Sequence, residues 1–220
     1  DPNITGPSGS AGDATSSKSI NENTTAIHTF SANETVTWSL NGGADASKFA
    51  INTSTGALTF NSAPDYESPT DADSGNNYVV VVRATDSASN TSDQTLTVSV
   101  VDVDEIDPNI TGPSGSAGDA TSSKSINENT TAIHTFTANE TVTWSLNGGA
   151  DASKFAINTA TGALSFSSAP NYESPADSDS GNNYIVVVRA TDSASNTSDQ
   201  TVTISVADVD ELNPNITGPS

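Results

Sequence analysis

The stretch YVVVVRA, residues 78–84, decides the fold class of this chain. The apolar side chains at every second position from Tyr78 to Ala84 share one side of an extended strand, and this period of two is typical of a half-buried β-strand. The same alternation runs through Val36–Leu40 and Leu96–Val100. Because no segment shows a convincing helical period of 3.6 residues, we expect an all-β fold.

Further short apolar segments bring the number of predicted strands to about seven within roughly 100 residues. They are Ser19–Ile20, Ile27–Phe30, Phe49–Ile51 and Leu58–Phe60. The last two flank TSTG at residues 53–56, which is a hairpin connection, and NGG at residues 41–43 marks another turn. Short strands separated by such frequent turns predict an antiparallel, seven-stranded β-sandwich.

The chain repeats itself with a period of 106 residues, and only 12 positions differ between residues 1–106 and 107–212. We therefore expect two tandem β-sandwich domains, 1–106 and 107–212, arranged end to end and each large enough to fold alone. Residues 213–220 match the start of a repeat. They are expected to open a third repeat or a linker in a longer tandem array.

Composition excludes several functions. The chain has 27 acidic and 6 basic residues, a net charge of −21, and no cysteine. Nucleic acid is excluded as a partner because phosphate binding needs clustered Lys and Arg. No apolar run reaches the roughly 18 residues of a membrane span. His28 and His134 have no nucleophile and orienting acid at catalytic spacing, so we expect no enzyme activity and no small-molecule substrate.

The acidic residues of each repeat concentrate in three segments, which in the first repeat are 65–67, 71–73 and 102–107. If such segments meet, two carboxylates about 6 Å apart repel by roughly 3 kcal/mol at an effective dielectric of 20. Ca²⁺ relieves this repulsion, since it accepts six to eight oxygen ligands in loose geometry. The alternative is a solvated acidic surface that keeps the protein soluble. Spacing alone leaves both interpretations open.

The order of the motifs resembles a cadherin repeat and, more narrowly, the cadherin-like extender repeats of large bacterial surface adhesins of the RTX type. The motifs are INEN at 20–23, VTWSLNGG at 36–43, KFAI at 48–51, TGAL at 55–58, DYE at 65–67, ATD at 84–86 and DVDE at 102–105. The resemblance covers nearly all of both repeats. It implies Ca²⁺ held between consecutive domains.

The resemblance also implies the calcium ligands. Glu22 matches the glutamate of the first strand, the DYE motif matches the Asp-Arg-Glu of the family, and DVDE supplies the linker acids. Asp192 matches the acid that reaches back across the boundary. The candidate ligands are Glu22, Asp65, Glu67, Asp71, Asp73, Asp86, Asp102, Asp104, Glu105, Asp107, Asn109, Glu128, Asn171, Glu173, Asp177, Asp179, Asp192, Asp208, Asp210 and Glu211.

Two departures from the family pattern change these expectations. Asn139-Glu140, and Asn33-Glu34 in the first repeat, replace the Asp-x-Asp that precedes the Trp-bearing strand, so we expect fewer ligands from the second domain. The linker DVDEIDPN replaces Asp-x-Asn-Asp-Asn-x-Pro, which affects the number and position of the ions. The Asp71 and Asp73 loop is a possible source of compensating ligands.

These patterns lead to one functional hypothesis and one alternative. The first is a non-enzymatic, calcium-stiffened spacer in a secreted adhesin at the cell surface, which holds a distal binding domain away from that surface. Its partners are neighbouring repeats of the same chain, and the expected form is a monomeric rod. The alternative is an adhesive module that itself binds a polysaccharide or associates homophilically. A contiguous aromatic or apolar surface patch would favour the alternative.

Overall fold

A computed structural model describes residues 1–211, which form two compact units. Unit 1 comprises Asp1–Val103, and unit 2 begins at Asp104. The proposed repeat boundaries near residues 106 and 212 remain predictions. The predicted start of a third repeat at 213–220 lies outside the described residues.

Unit 1 is built from strands, with one three-residue 3₁₀ helix at Ala46–Lys48. The strands are β1 (Ile4–Thr5), β2 (Thr15–Asn21), β3 (Ala26–Thr29), β4 (Ser31–Ala32), β5 (Thr37–Leu40), β6 (Phe49–Ile51), β7 (Ala57–Phe60), β8 (Asn77–Thr85) and β9 (Thr91–Val101). One sheet has the order β2-β9-β8-β5, the other has the order β3-β7-β6, and β1 pairs with β4. The predicted all-β sandwich is confirmed.

The core of unit 1 lies between the two sheets. Tyr78, from the larger sheet, stands edge-on to Phe60 of the smaller sheet, with ring centroids 5.0 Å apart. Phe60 in turn stacks on Phe49 at 4.7 Å. Trp38 is buried in the same cluster, as its phase with Val36 and Leu40 predicts. Alternating apolar residues therefore close the sandwich by packing face to face.

Unit 2 repeats this arrangement. Its strands are β10 (Ile110–Thr111), β11 (Thr121–Asn127), β12 (Ala132–Thr135), β13 (Thr137–Ala138), β14 (Thr143–Leu146), β15 (Phe155–Ile157), β16 (Ala163–Phe166), β17 (Asn183–Thr191) and β18 (Thr197–Ala207), with a 3₁₀ helix at Ala152–Lys154. The sheet orders are β11-β18-β17-β14 and β12-β16-β15, and β10 pairs with β13. Among residues 1–211, no helix is long and apolar enough to cross a membrane.

One strand pair departs from the antiparallel expectation and positions the acidic residues. β2 runs parallel to β9, with Thr15 opposite Thr95 and Asn21 opposite Val101. The two strands lie at opposite ends of the unit's sequence, so no hairpin turn forces them to be antiparallel. Parallel strands end at the same edge of a sheet. Glu22, which follows β2, therefore lies beside the residues that follow β9.

Candidate metal centre

Glu22 is a buried carboxylate that joins two loops of unit 1. Its side chain is 2 % exposed. Oε2 accepts a hydrogen bond from the backbone N–H of Tyr66 at 2.7 Å, and Oε1 accepts one from that of Val103 at 2.8 Å. These two backbone donors hold the pKa of Glu22 below its ordinary value. The carboxylate is therefore charged and fixed in position at neutral pH.

Glu128 makes the same contacts in unit 2. It is also 2 % exposed, and it accepts backbone hydrogen bonds from Tyr172 at 2.8 Å and Val209 at 2.9 Å. The pKa of Glu128 is lowered by these two donors in the same way. Both units therefore present a fixed carboxylate directly after the strand that runs parallel to their longest strand.

Two further acids approach each of these glutamates. Glu22, Glu67 and Asp102 offer carboxylate oxygens that all lie within 4.8 Å of one another, and we name these residues the Glu22 group. Their counterparts in unit 2 form the Glu128 group, made of Glu128, Glu173 and Asp208 under the same distance limit. Glu67, Asp102, Glu173 and Asp208 are exposed, so solvent and ions reach both groups.

A third group lies at the start of unit 2. Asp104, Glu140 and Asp192 also place carboxylate oxygens within 4.8 Å of one another, and we name them the Asp192 group. Asn196 connects its parts, since its Nδ2 donates to the Asp192 carboxylate at 2.9 Å and to the backbone oxygen of Asp104 at 2.8 Å. Burial acts to raise the pKa of Asp192, but hydrogen bonds from Asn196 and nearby backbone N–H groups lower it overall.

Glu140 is the residue that sequence reasoning missed. The replacement of Asp-x-Asp by Asn139-Glu140 predicts fewer ligands from the second domain, yet the structure brings the Glu140 carboxylate to those of Asp104 and Asp192. The longer glutamate side chain offers the same oxygen chemistry as aspartate. The signal in the sequence was the acid itself, at the position where the family pattern has one.

The electrostatics of the groups favour a cation. A backbone hydrogen bond acts to lower the pKa of Glu67, but partial desolvation and the charges of Glu22 and Asp102 raise it above its ordinary value. Burial, Asp104 and Asp192 likewise raise the pKa of Glu140. The ion pairs of residues 1–211 are Arg83–Asp93 and Arg189–Asp199, and neither includes a member of the three groups. Three clustered carboxylates without a basic partner match the oxygen ligands that Ca²⁺ prefers.

Several sequence-predicted ligands lie outside the groups and make local hydrogen bonds. Asp65 Oδ1 accepts from the backbone of Ser68 at 2.9 Å, and Asn171 Oδ1 accepts from Ser174 at 2.6 Å. Both stabilise the turn that carries the next glutamate. In unit 1, Asp86 accepts hydrogen bonds from Ala88 and Asn90 within its own loop.

The remaining linker candidates are placed separately. Asp107 Oδ1 accepts from the backbone of Thr197 at 3.2 Å, and the backbone N–H of Asn109 donates to Asn139 Oδ1 at 2.6 Å. Glu211 accepts a hydrogen bond from Asn129. Glu105 and Asp210 are exposed, and neither is in a group formed by the described residues.

The four remaining candidates, Asp71, Asp73, Asp177 and Asp179, lie in a loop of each unit that is separate from the groups. Asp45, which sequence reasoning did not select, holds the loop of unit 1. This buried carboxylate accepts backbone hydrogen bonds from Ala72 at 2.7 Å and from Val79 at 2.8 Å. An isolated acid after the NGG turn gives no sequence signal for this role.

Comparison with known proteins identifies the fold of this scaffold. Residues 18–101 match the family "Cadherin domain". Human Protocadherin-24 EC1-2 is 19 % identical over 95 % of this chain and 98 % of its own, with a TM-score of 0.54. Mouse Cadherin-23 EC22-24 is 20 % identical over 94 % of this chain and 67 % of its own, with a TM-score of 0.51.

Drosophila N-cadherin EC1-4 is 17 % identical over 94 % of this chain and 49 % of its own, with a TM-score of 0.50. No curated protein sequence matches this chain. At these identities the solved structures establish the fold alone. The sequence match covers unit 1, and unit 2 repeats the sequence and the sheet order of unit 1. Residues 18–101 therefore match the cadherin domain family, and the chain has a β-sandwich fold similar to that of these cadherin structures.

Proposed function

We propose that this chain is a calcium-stiffened structural spacer of a large extracellular adhesin of the RTX type, which holds a distal binding domain away from the cell surface. The observation that carries the proposal is the set of three carboxylate groups without basic partners. It is supported by the near-identity of the two repeats. A spacer tolerates duplication of its domains, whereas a specific binding domain is expected to differ from its neighbours.

Calcium binding at the Glu22 group follows from what its members already do. Glu22 is fixed by two backbone N–H groups and keeps further lone pairs on each oxygen for an ion. The carboxylate of Glu67 is repelled by those of Glu22 and Asp102, and a bound cation would offset this repulsion. Binding therefore costs little reorganisation and stabilises the folded unit through mass action. The Glu128 group has the same chemistry.

The stiffening follows from the positions of the ligands along the chain. Asp102 belongs to the Glu22 group of unit 1, Asp104 belongs to the Asp192 group of unit 2, and Val103 alone separates them. Two residues of extended chain span at most about 7 Å. Ions bound at both groups would fix both ends of this short segment, and the N–H of Val103 is held by Glu22 in addition. Without ions, charge repulsion would act on a segment with little support.

Small-angle X-ray scattering tests the proposal. The parent chain should give a narrow distribution of maximum dimensions in Ca²⁺ and a broad one in chelator. The double variant E67Q/E140Q, which removes one carboxylate from each of two groups, should stay broad in both buffers. D13N/D119N is the matched control, because it removes two charges outside the groups and should behave like the parent.

Two results would contradict the spacer. Identical scattering profiles of the parent in Ca²⁺ and in chelator would show that the ion does not stiffen the chain. Calcium-dependent dimers in sedimentation would instead favour the homophilic module.

A further inference from the structure

The loop of residues 71–77, DADSGNN, gathers oxygen atoms that the Glu22 group does not use. Both of its aspartates share one hydrogen-bond donor. The backbone N–H of Gly75 donates to Asp71 Oδ2 at 2.9 Å and to Asp73 Oδ1 at 3.2 Å. Two oxygens that share one donor lie close together. Asp45 holds the loop by accepting from the backbone of Ala72 and of Val79.

The counterpart loop of unit 2, residues 177–183, repeats this geometry. The backbone N–H of Gly181 donates to Asp177 Oδ2 at 2.9 Å and to Asp179 Oδ1 at 3.0 Å. Asp177 is 7 % exposed, so its charge is largely removed from water. No lysine or arginine of the described residues forms an ion pair with these aspartates.

Unpartnered oxygens in both loops point to a ligand. Within residues 1–211, the buried side-chain nitrogen and oxygen atoms that lack a hydrogen-bond partner are Asn76 Oδ1, Asp177 Oδ1 and Asn182 Oδ1. All of them belong to these two loops, and all are acceptors. Buried polar atoms are almost always paired, so a cluster of unpaired acceptors requires an explanation.

Reversing the asparagine amides does not remove the unpaired oxygens. Asn76 Nδ2 donates to the backbone oxygen of Tyr66 at 2.8 Å, and Asn182 Nδ2 donates to that of Tyr172 at 2.9 Å. A carbonyl oxygen needs a donor, so each amide must keep its nitrogen on that side. The Oδ1 atoms therefore remain without a donor from the protein.

We propose that each of these loops binds a Ca²⁺ ion within its own unit, separate from the three carboxylate groups. The protein ligands are side-chain oxygens of Asp71, Asp73 and Asn76 in unit 1, and of Asp177, Asp179 and Asn182 in unit 2. Two carboxylates and an amide carbonyl are oxygen ligands that Ca²⁺ accepts, with water completing the coordination. A buried water alone would donate to the unpaired oxygens but would leave the two adjacent charges uncompensated.

This loop site goes beyond the spacer function, since it stabilises a single unit and involves none of the acids at the ends of the units. The test uses the whole 220-residue chain and counts bound Ca²⁺ by native mass spectrometry and calorimetric titration. D73N/D179N removes one charge per loop, while the amide oxygen of each asparagine still accepts from the glycine N–H. Because an amide oxygen can still ligate Ca²⁺ but brings no charge, this double variant should bind the two loop ions more weakly than the parent.

Two comparisons separate the loop sites from other effects. D13N/D119N removes the same number of charges and should bind as many ions as the parent. E67Q/E140Q should lose ions from the carboxylate groups and keep the two loop ions, so failure of the spacer proposal is distinguishable from failure of this one. An unchanged ion count together with an unchanged Ca²⁺ affinity in D73N/D179N would overturn the loop sites.

Hydrogen exchange of the parent chain gives a test that needs no variant. Ca²⁺ should slow exchange of the backbone N–H of Gly75 and Gly181, because an ion would lock the aspartates that accept from them. Exchange at these two amides that is equal in Ca²⁺ and in chelator would overturn the proposal.

Discussion

Two carboxylates of the Glu22 group have different roles, one in holding the fold together and one in binding an ion. Glu22 and Glu67 show this difference. Glu22 accepts two backbone hydrogen bonds and is needed whether or not an ion is present. Glu67 lies within 4.8 Å of two other acids, and their charges raise its pKa against the effect of its own backbone hydrogen bond. Glu22 is therefore a structural residue as well as a ligand, whereas Glu67 is mainly a ligand.

Single amide substitutions should separate the two roles. E22Q should lower the melting temperature by several degrees even in chelator, because the amide nitrogen of glutamine would face a backbone N–H donor. E67Q should keep or raise the melting temperature in chelator, because it removes repulsion, and should reduce the increase caused by Ca²⁺. Thermal unfolding followed by circular dichroism measures both. Equal losses in chelator for the two variants would contradict this division.

The two kinds of glutamate should also differ in their pH dependence. The pKa of Glu22 is below the ordinary value of 4.5, so its ionisation stabilises the fold above that pH, and this contribution is lost as the pH falls through the folded pKa. The pKa values of Glu67 and Glu140 are raised. Their contribution is present at low pH and is lost as the pH rises through the folded pKa.

Side-chain carboxyl NMR titrations in chelator should therefore give midpoints above 4.5 for Glu67 and Glu140 and below 4.5 for Glu22. Added Ca²⁺ should move the midpoints of Glu67 and Glu140 downward, because the ion favours the charged form. Midpoints of Glu67 and Glu140 that do not respond to Ca²⁺ would argue against ligation.

Sequence patterns identify acids that lie in a motif matching the family, even when the motifs are far apart in the chain, but not an acid whose own motif departs from the family pattern. Glu22, Glu67 and Asp102 were selected together, and the structure brings them together. Glu140 was set aside because its motif departs from the family, although it meets Asp104 and Asp192 from other parts of the chain. Whether such an acid reaches its partners depends on the conformation of the loops, which the local sequence does not reveal.

At the scale of elements, a buried polar contact holds the first long strand to the sheet. Gln94 on β9 is fully buried, and it accepts from Ser16 Oγ at 3.0 Å and donates to the backbone oxygen of Asp13 at 2.7 Å. β2 has the sequence TSSKSIN, in which Ser16 and Ile20 are the buried positions. Sequence analysis predicted only Ser19–Ile20 because a buried serine does not contribute to an apolar alternation.

Gly6 lies so close to this contact that no side chain fits at its position, so we expect glycine to be required there. A Cβ at Gly6 would lie 2.0 Å from Gln94 Oε1 and 2.8 Å from Ser16 Oγ. Gly6→Ala should therefore destabilise unit 1 by about 1–3 kcal/mol through overpacking. In a Gln94→Ala background the same change should cost less, because the nearest clashing atom is gone and Ser16 Oγ alone remains close. Urea unfolding measures both costs, and equal costs in the two backgrounds would contradict the mechanism.

At the scale of the whole molecule, uncompensated negative charge dominates. The net charge is −21, and the Arg83–Asp93 and Arg189–Asp199 pairs are about one-third exposed on each side chain. Exposed pairs of this kind contribute little to stability. Self-repulsion among the acids is therefore the main electrostatic effect in the absence of a bound cation.

Matched salts should distinguish specific calcium sites from a solvated acidic surface. NaCl screens exposed charges, since the Debye length is about 10 Å at 0.1 M, and should raise the melting temperature gradually. Ca²⁺ at the same ionic strength should add a further stabilisation that grows with the logarithm of the Ca²⁺ concentration, about 2.7 kcal/mol at a hundredfold excess over Kd for one site that is absent in the unfolded chain. E67Q/E140Q should lose part of the calcium increase and keep the NaCl increase. If NaCl alone reproduces the effect of Ca²⁺, the carboxylate groups are a solvated surface, and both the stiffening and the loop sites lose their physical basis.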